Sequence, residues 1–174
     1  MKVYNRHDRR INTTETIAGS ILNSLSGSED RLWPHENWPP MQLDAPLGEG
    51  ARGGHGPVRY RVEQFIPGRK AVFRFEPEGL IAGFEGVHYF EVSPGSGCVV
   101  MTHVIDARCS FGVWARWRLL IEPIHDAVIE DAFDKVENGI AGRKEKSSPW
   151  SPWVKVLREM RARKRRREER KRGV

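Results

Sequence analysis

Cysteine is scarce in this chain of 174 residues: there are two, Cys98 and Cys109, eleven positions apart. Nothing resembles C-x-x-C, so neither a zinc ribbon nor a dithiol redox motif is supported. Both thiols read as ordinary buried or half-buried residues of a reducing compartment. Long hydrophobic runs are absent too, and none nears the ~18 residues that a membrane span requires. The opening residues, Met1-Lys2-Val3-Tyr4-Asn5-Arg6-His7-Asp8, contain no apolar core of a signal peptide, and the cytoplasm is the expected compartment. No serine or cysteine stands in a recognisable nucleophile context, no triad can be read, and no cofactor or catalytic residue is assigned. There are no internal repeats.

The net charge of +6 misleads until it is divided. From Arg143 onward there are fourteen Lys/Arg against four Glu, a balance of +10, which leaves residues 1–142 at about −4. A slightly acidic domain carries a basic tail. A general nucleic-acid-binding surface on the domain is therefore not indicated, and any such role rests on the tail.

Periodicity orders the rest. The first segment, through about Thr14, combines strand-like pieces with many charges and reads as a short edge strand. Asn12 stands three residues before Glu15 as an N-cap, and Ile17, Ile21 and Leu25 follow at helical spacing with Leu22 beside them. That predicts a helix over 13–26, ended by Gly27. Residues 28–47, with Trp33, Pro34, Trp38, Pro39 and Pro40, predict a helical turn and a rigid loop. Val58, Tyr60 and Val62 then alternate with charged residues, and Pro67-Gly68 suits a hairpin turn. Ala71, Phe73 and Phe75 form the next strand, His88, Phe90 and Val92 a third, and Cys98 to Asp106 a fourth after Pro94-Gly95-Ser96-Gly97. After Phe111 the period lengthens. Pro123 opens a helix or sits in its first turn, and Ile124, Val128, Ile129, Ala132, Phe133, Val136 and Ile140 make a wide apolar stripe, with Gly139 and Gly142 at the exit. The fold class is α+β.

Three stretches carry a likeness: Gly53-Gly54-His55-Gly56-Pro57-Val58-Arg59-Tyr60, Val62 to Phe75 across Pro67-Gly68-Arg69, and Trp117 to Ala132. With the order of elements, they resemble the START-like (SRPBCC) superfamily, which includes polyketide cyclase/dehydrase-like proteins and the birch-pollen allergen fold. The resemblance covers roughly residues 1–142. It implies a helix-grip fold, a curved antiparallel sheet wrapped around a long helix, with a cavity between them suited to lipid-like, aromatic or polyketide-like ligands. The basic tail departs from that pattern, so residues 143–174 are set apart as an appendage, helical from about 151.

Gly48-Glu49-Gly50-Ala51-Arg52-Gly53 matches G-x-G-x-x-G, but a dinucleotide fingerprint needs a strand before it and a helix after it. Here a loop precedes and a strand follows, so it reads as a flexible lip. The inward faces weigh more. Tyr60, Phe73, Phe75, His88 and Phe90 share faces with Met101 and His103, and Trp117 lies just before the long helix. Together these eight are the expected ligand-binding residues. The bland alternative is a filled core in which each histidine has a backbone partner. His88 and His103 could instead orient a ligand or move a proton. No metal is expected, since nothing supplies a third ligand at suitable spacing. Trp114, Arg116 and Arg118 read as a cover for the pocket mouth or as a wedge under the helix, and the acidic residues near His125-Asp126 as complements to the helix dipole.

In the tail, Ser151-Pro152 starts a helix whose stripe of Trp150, Trp153, Val154, Leu157 and Met160 will seek an apolar surface on its own domain, a second copy or a membrane. Arg161, Arg163, Lys164, Arg165, Arg166 and Arg167 begin a run that is either solvated or attracted to the phosphates of nucleic acid or anionic lipid. The expected function is binding or carriage of a small hydrophobic molecule. The alternatives are a cyclase- or aromatase-like enzyme with a pocket histidine, a scaffold anchored by its tail, and, for the stripe, a homodimer.

Overall fold

The computed structural model of the protein describes residues 1–76, 82–143 and 147–172. The alternating segments build one curved, antiparallel sheet of seven strands: β1 (Lys2–Ile11), β2 (Met41–Leu43), β3 (Arg52–His55), β4 (Val58–Ile66), β5 (Lys70–Glu76), β6 (Glu85–Gly95) and β7 (Cys98–Arg108). Their spatial order is β1-β7-β6-β5-β4-β3-β2, so hairpins join β2 through β7 and only β1 crosses over, to pair with β7. A register shift between Val62 and Gln64 bends β4.

Two strands were hidden in the sequence. The lip expected at 48–53 runs into strand β3, where Gly53 and Gly54 allow neighbouring backbone to approach closely. A Cβ on Gly53 would lie 1.9 Å from the Gln42 carbonyl oxygen. Helix α1 (Glu15–Asn23) is shorter than expected, and its cap is Thr14, not Asn12: the Thr14 side chain accepts from the Ile17 amide at 3.2 Å. The chain turns at Ser24 and does not reach Gly27 as a helix.

The long helix begins earlier than Pro123. Helix α2 (Phe111–Arg116), a π-helical turn (Trp117–Ile121) and α3 (Glu122–Ala141) run on without a break, which puts Trp114 and Trp117 inside the helical stretch. In the wide turn the Glu122 amide reaches back to the Trp117 carbonyl. Pro123 has no N–H for the preceding turn. The Leu119 carbonyl, four residues back, takes a hydrogen bond from Trp153 Nε1 at 2.8 Å.

That tryptophan belongs to α4 (Pro152–Arg172), capped by Ser151, whose hydroxyl accepts from the Val154 amide at 3.2 Å. The apolar stripe of α4 finds its surface on the same chain: Val154 and Leu157 are buried in the main core, while Met160 stays exposed. Arg158 stands over the rings of Trp38 and Trp150, 4.2 and 3.9 Å from their centroids, and donates to the Asn37 carbonyl. Both indole N–H groups donate to Asp131 of α3. No helix among the described residues is long and apolar enough to cross a membrane.

Charged residues of β1 have partners on α3. Asn5, His7 and Arg9 advance by two along the strand, about 6.6 Å, while Asp126, Glu130 and Asp134 advance by four along the helix, about 6.0 Å, so the two rows stay in step. Asn5 bonds Asp126, His7 bonds Asp126 and Glu130, and Arg9 bonds Glu130, Asp134 and Glu137. The acidic row of α3 thus does more than complement a dipole.

Where α1 meets the β4–β5 turn, Gly19 leaves space for backbone alone. A Cβ there would lie 2.7 Å from the Gly68 carbonyl oxygen, and Asn23 holds the turn by accepting from the Gly68 amide at 2.6 Å. Gly68 itself has φ +72°. We expect Gly19→Ala to lower stability by about 1–3 kcal/mol through overpacking, read as a lower urea midpoint at unchanged slope. An unchanged midpoint would mean that helix and turn are not in backbone contact.

Candidate functional site

The core divides into two clusters. The larger joins α1, the middle of the sheet, the far half of α3 and the start of α4; the smaller gathers Val3, Phe75, Phe84, Ile105, Ala107, Trp117 and Ile121. Members of both line one cavity of about 90 Å³ beneath the long helix, so the cavity is the gap between them. Its walls are largely apolar, with Trp33 and Trp38 on one side and Phe84 and Trp117 on the other. The exposed side chain of Arg161, from α4, reaches its margin.

Of the eight residues expected at a ligand, the structure brings Phe75, His88, His103 and Trp117 to the cavity wall. Tyr60, Phe73, Phe90 and Met101 lie fully buried in the larger cluster, outside that wall. Register explains the grouping. Phe73 pairs with His88 across β5–β6, His88 with Ile105 and Phe90 with His103 across β6–β7, and His103 with His7 across β7–β1. All these side chains share the inner face.

Four histidines reach the cavity: His55, His88, His103 and His125. His88 stacks on Phe73 and Phe75, with centroids 4.9 and 5.0 Å away, and meets Tyr60 edge-on. Its Nδ1 lies 3.4 Å from His103 Nε2, a long hydrogen bond, while His88 Nε2 and His103 Nδ1 are buried without a partner among the described residues. Burial pushes both imidazoles well below their usual pKa, so both are neutral. Whichever ring donates in the shared bond, one of the two outer nitrogens is then a donor and the other an acceptor. His55 contacts the Tyr60 hydroxyl through Nδ1 at 3.1 Å and rests on Trp33; burial pushes it down to about 3. Burial lowers His125 as well, against the pull of Asp126.

His55 and His125 were missed in the sequence. The first lies just past the stretch read as a lip, between Gly54 and Gly56, and the second among acidic residues read as a helix start. Only the three-dimensional sharing of a wall shows that they belong with His88 and His103. Arg161 was read as the first residue of a run that is either solvated or attracted to phosphates. Arg163 and Arg166 pair with Glu159, Arg167 is exposed, and the side chains of Lys164 and Arg165 lie outside the described ones.

Neither family models nor curated proteins match the chain. Solved structures do. A protein from Thermobifida fusca, solved by NMR, superposes with a TM-score of 0.63 at 15% identity over 85% of this chain and 99% of that one. Norcoclaurine synthase from Thalictrum flavum, in complex with dopamine and hydroxybenzaldehyde, gives 0.62 at 14% identity over 84% and 90%. CalU16 from Micromonospora echinospora gives 0.55 at 14% over 92% of each chain. At such identities the likeness is one of fold, and the fold is the helix grip, a curved antiparallel sheet around a long helix.

The buried imidazoles make stability depend on pH. His55, His88, His103 and His125 have folded pKa values below the ordinary 6.5, so their contribution is full above that pH and is lost as pH falls toward the folded values. Each titrating group supplies a slope of up to about 1.4 kcal/mol per pH unit. His7 has the opposite sign. Burial opposes its charge, but hydrogen bonds to Asp126 and Glu130 outweigh this and raise its pKa, so its contribution is lost as pH rises through the raised value. Four groups outweigh one, and urea midpoints should fall steadily from about pH 7 to about pH 5. A flat profile would show that the imidazoles are open to water.

Proposed function

We propose that the protein binds, and holds without covalent change, a small aromatic molecule bearing a hydroxyl or carbonyl group. The observation that carries this reading is the apolar cavity with two imidazole nitrogens on neighbouring residues of its wall that have no partner among the described residues, one donor and one acceptor. A buried polar atom without a partner costs about 1–3 kcal/mol, and a hydroxyl or carbonyl on a ligand satisfies whichever of the two it meets. Volume narrows the choice. One water needs roughly 10–15 Å³ of such space. A cavity of about 90 Å³ therefore holds on the order of six to nine non-hydrogen atoms. That suits one substituted ring better than a lipid chain or a polyketide. A structure of the same fold, norcoclaurine synthase, holds dopamine and hydroxybenzaldehyde, each a single ring with hydroxyl groups or a hydroxyl and a carbonyl.

A second reading, acid–base catalysis of the cyclase or aromatase kind, is favoured by one feature. His88 and His103 are neutral and adjacent, and a neutral imidazole is the form that accepts a proton. The outer half of α4, with Arg166, Arg167 and Arg170 exposed, supports a separate attachment to phosphate-bearing polymers or anionic membranes.

The test is calorimetric titration with phenols and hydroxybenzaldehydes, alongside native mass spectrometry of protein purified from its own cells. Binding should occur in the wild type, and Val128→Phe, which fills the cavity from α3, should abolish it. His103→Gln should weaken it about tenfold, or about 1.4 kcal/mol. Turnover of a bound compound that His88→Gln removes at unchanged affinity would favour the enzyme. A protein that purifies empty and binds none of the panel overturns the proposal.

A further inference from the structure

Between the cavity and the outer edge of the sheet lies a group that the binding reading leaves unused. One donor atom each from His7, His125 and Asp126 lie within 4.8 Å of one another. His7 Nε2 is 3.1 Å from Asp126 Oδ1, and His125 Nδ1 is 3.7 Å from the same oxygen, beyond hydrogen-bond reach. A metal held tetrahedrally at ~2.0–2.1 Å separates its ligands by roughly 3.3–3.4 Å, and these two distances bracket that value.

Two further observations point to an ion. His125 Nδ1 is enclosed and without a hydrogen-bond partner among the described residues. The second is the partner on the other side of His7, whose Nδ1 lies 3.0 Å from Glu130 Oε1. A carboxylate on the far nitrogen of a ligating histidine fixes the ring and leaves the near nitrogen free for the metal. Asn5 Nδ2 donates to Asp126 at 3.0 Å, and Arg9 holds the other oxygen of Glu130, so both carboxylates are themselves fixed.

We propose that His7, His125 and Asp126 form a binding site for a divalent transition metal ion, with Glu130 as the residue that orients His7. Two imidazoles and one carboxylate are the donor set of zinc and of its first-row neighbours, and not of calcium or magnesium, which take oxygen. The ion takes the place of the proton on His7 Nε2, and Asp126 and Glu130 balance its charge. Three protein ligands leave a position for water or an outside ligand. His125 also lines the cavity, so the ion sits at its wall. The proposal stands apart from aromatic binding, and either can fail alone.

The test uses the full chain, purified without a histidine tag and stripped with chelator, titrated with cobalt(II) as a spectroscopic stand-in for zinc. Wild type should show intense visible d–d bands of a tetrahedral or five-coordinate site, saturating at one equivalent and displaced by zinc. His7→Gln and His125→Gln should each lose the bands, and Glu130→Gln should weaken binding roughly 10–100-fold. His35→Gln, at a ring that contacts Lys135 and Glu36 instead of the cluster, should change nothing. Should the variants fail to fold, zinc added to the wild type should shift the imidazole resonances of His7 and His125 and spare His35. Absent bands, binding that survives in folded His7→Gln and His125→Gln, or resonances that do not move, would each overturn the site and leave His7 as an imidazolium held between two carboxylates.

Discussion

One helix cannot fill the hollow of a bent seven-stranded sheet. The sheet offers an apolar inner face from β7 to β4, and the stretch from Phe111 to Ala141 crosses it, with α1 and the start of α4 completing the same core. Burying that face stabilises the fold at about 25 cal/mol per Å² of apolar surface. Geometry leaves a remainder where neither cluster of side chains reaches the other. The fold supplies the cavity, then, and the particular side chains on the wall decide what can occupy it.

Polar groups at this boundary are handled in two opposite ways. At the edge of the sheet, charge meets charge: the β1 row locks onto the α3 row, each member with a named partner. Such half-buried pairs add little net stability, but losing one partner leaves the other unmatched, so they fix the position of the helix along the strand. In the middle of the sheet the imidazoles keep no charge and lean on aromatic rings instead. The C-terminal helix closes the arrangement from outside. Its Arg158 ties together Trp38, Trp150 and Asn37, segments that have no regular structure of their own to hold them.

Much of the fold could be read from the chain because its strongest elements obey local rules. Alternation at Val58–Val62, Ala71–Phe75 and His88–Val92 identified strands and their inner faces, and the stripe from Ile124 to Val136 identified the helix that covers them. Strand β3 escaped because Gly53 and Gly54 show no alternation, and β2, Met41–Leu43, because three residues after Pro39-Pro40 are too few for a period to show. The site was legible only in part, for a related reason. His88 and His103 stand out on strands with a period of two, whereas His55 and His125 join them through pairing and packing. His7 and Asp126 are 119 positions apart, and no local spacing can reveal such a pair. The apolar stripe of α4 was legible as well, but its destination depended on which surface the finished domain left open.

The π-helical turn at Trp117–Ile121 has a consequence for the order in which this sequence can change. A helix advances about 100° per residue, so one residue accommodated in a widened turn shifts everything after it in phase. The residues before the turn and those after it therefore present their apolar sides on two different clocks, reconciled only at that turn. Losing a single residue there would restore one clock and leave Ile124, Val128 and Ala132 facing the sheet, whereas winding the same residues as regular α-helix would rotate them away by about 100°. The winding of this turn, rather than its length, is thus what keeps both halves of the helix on the sheet.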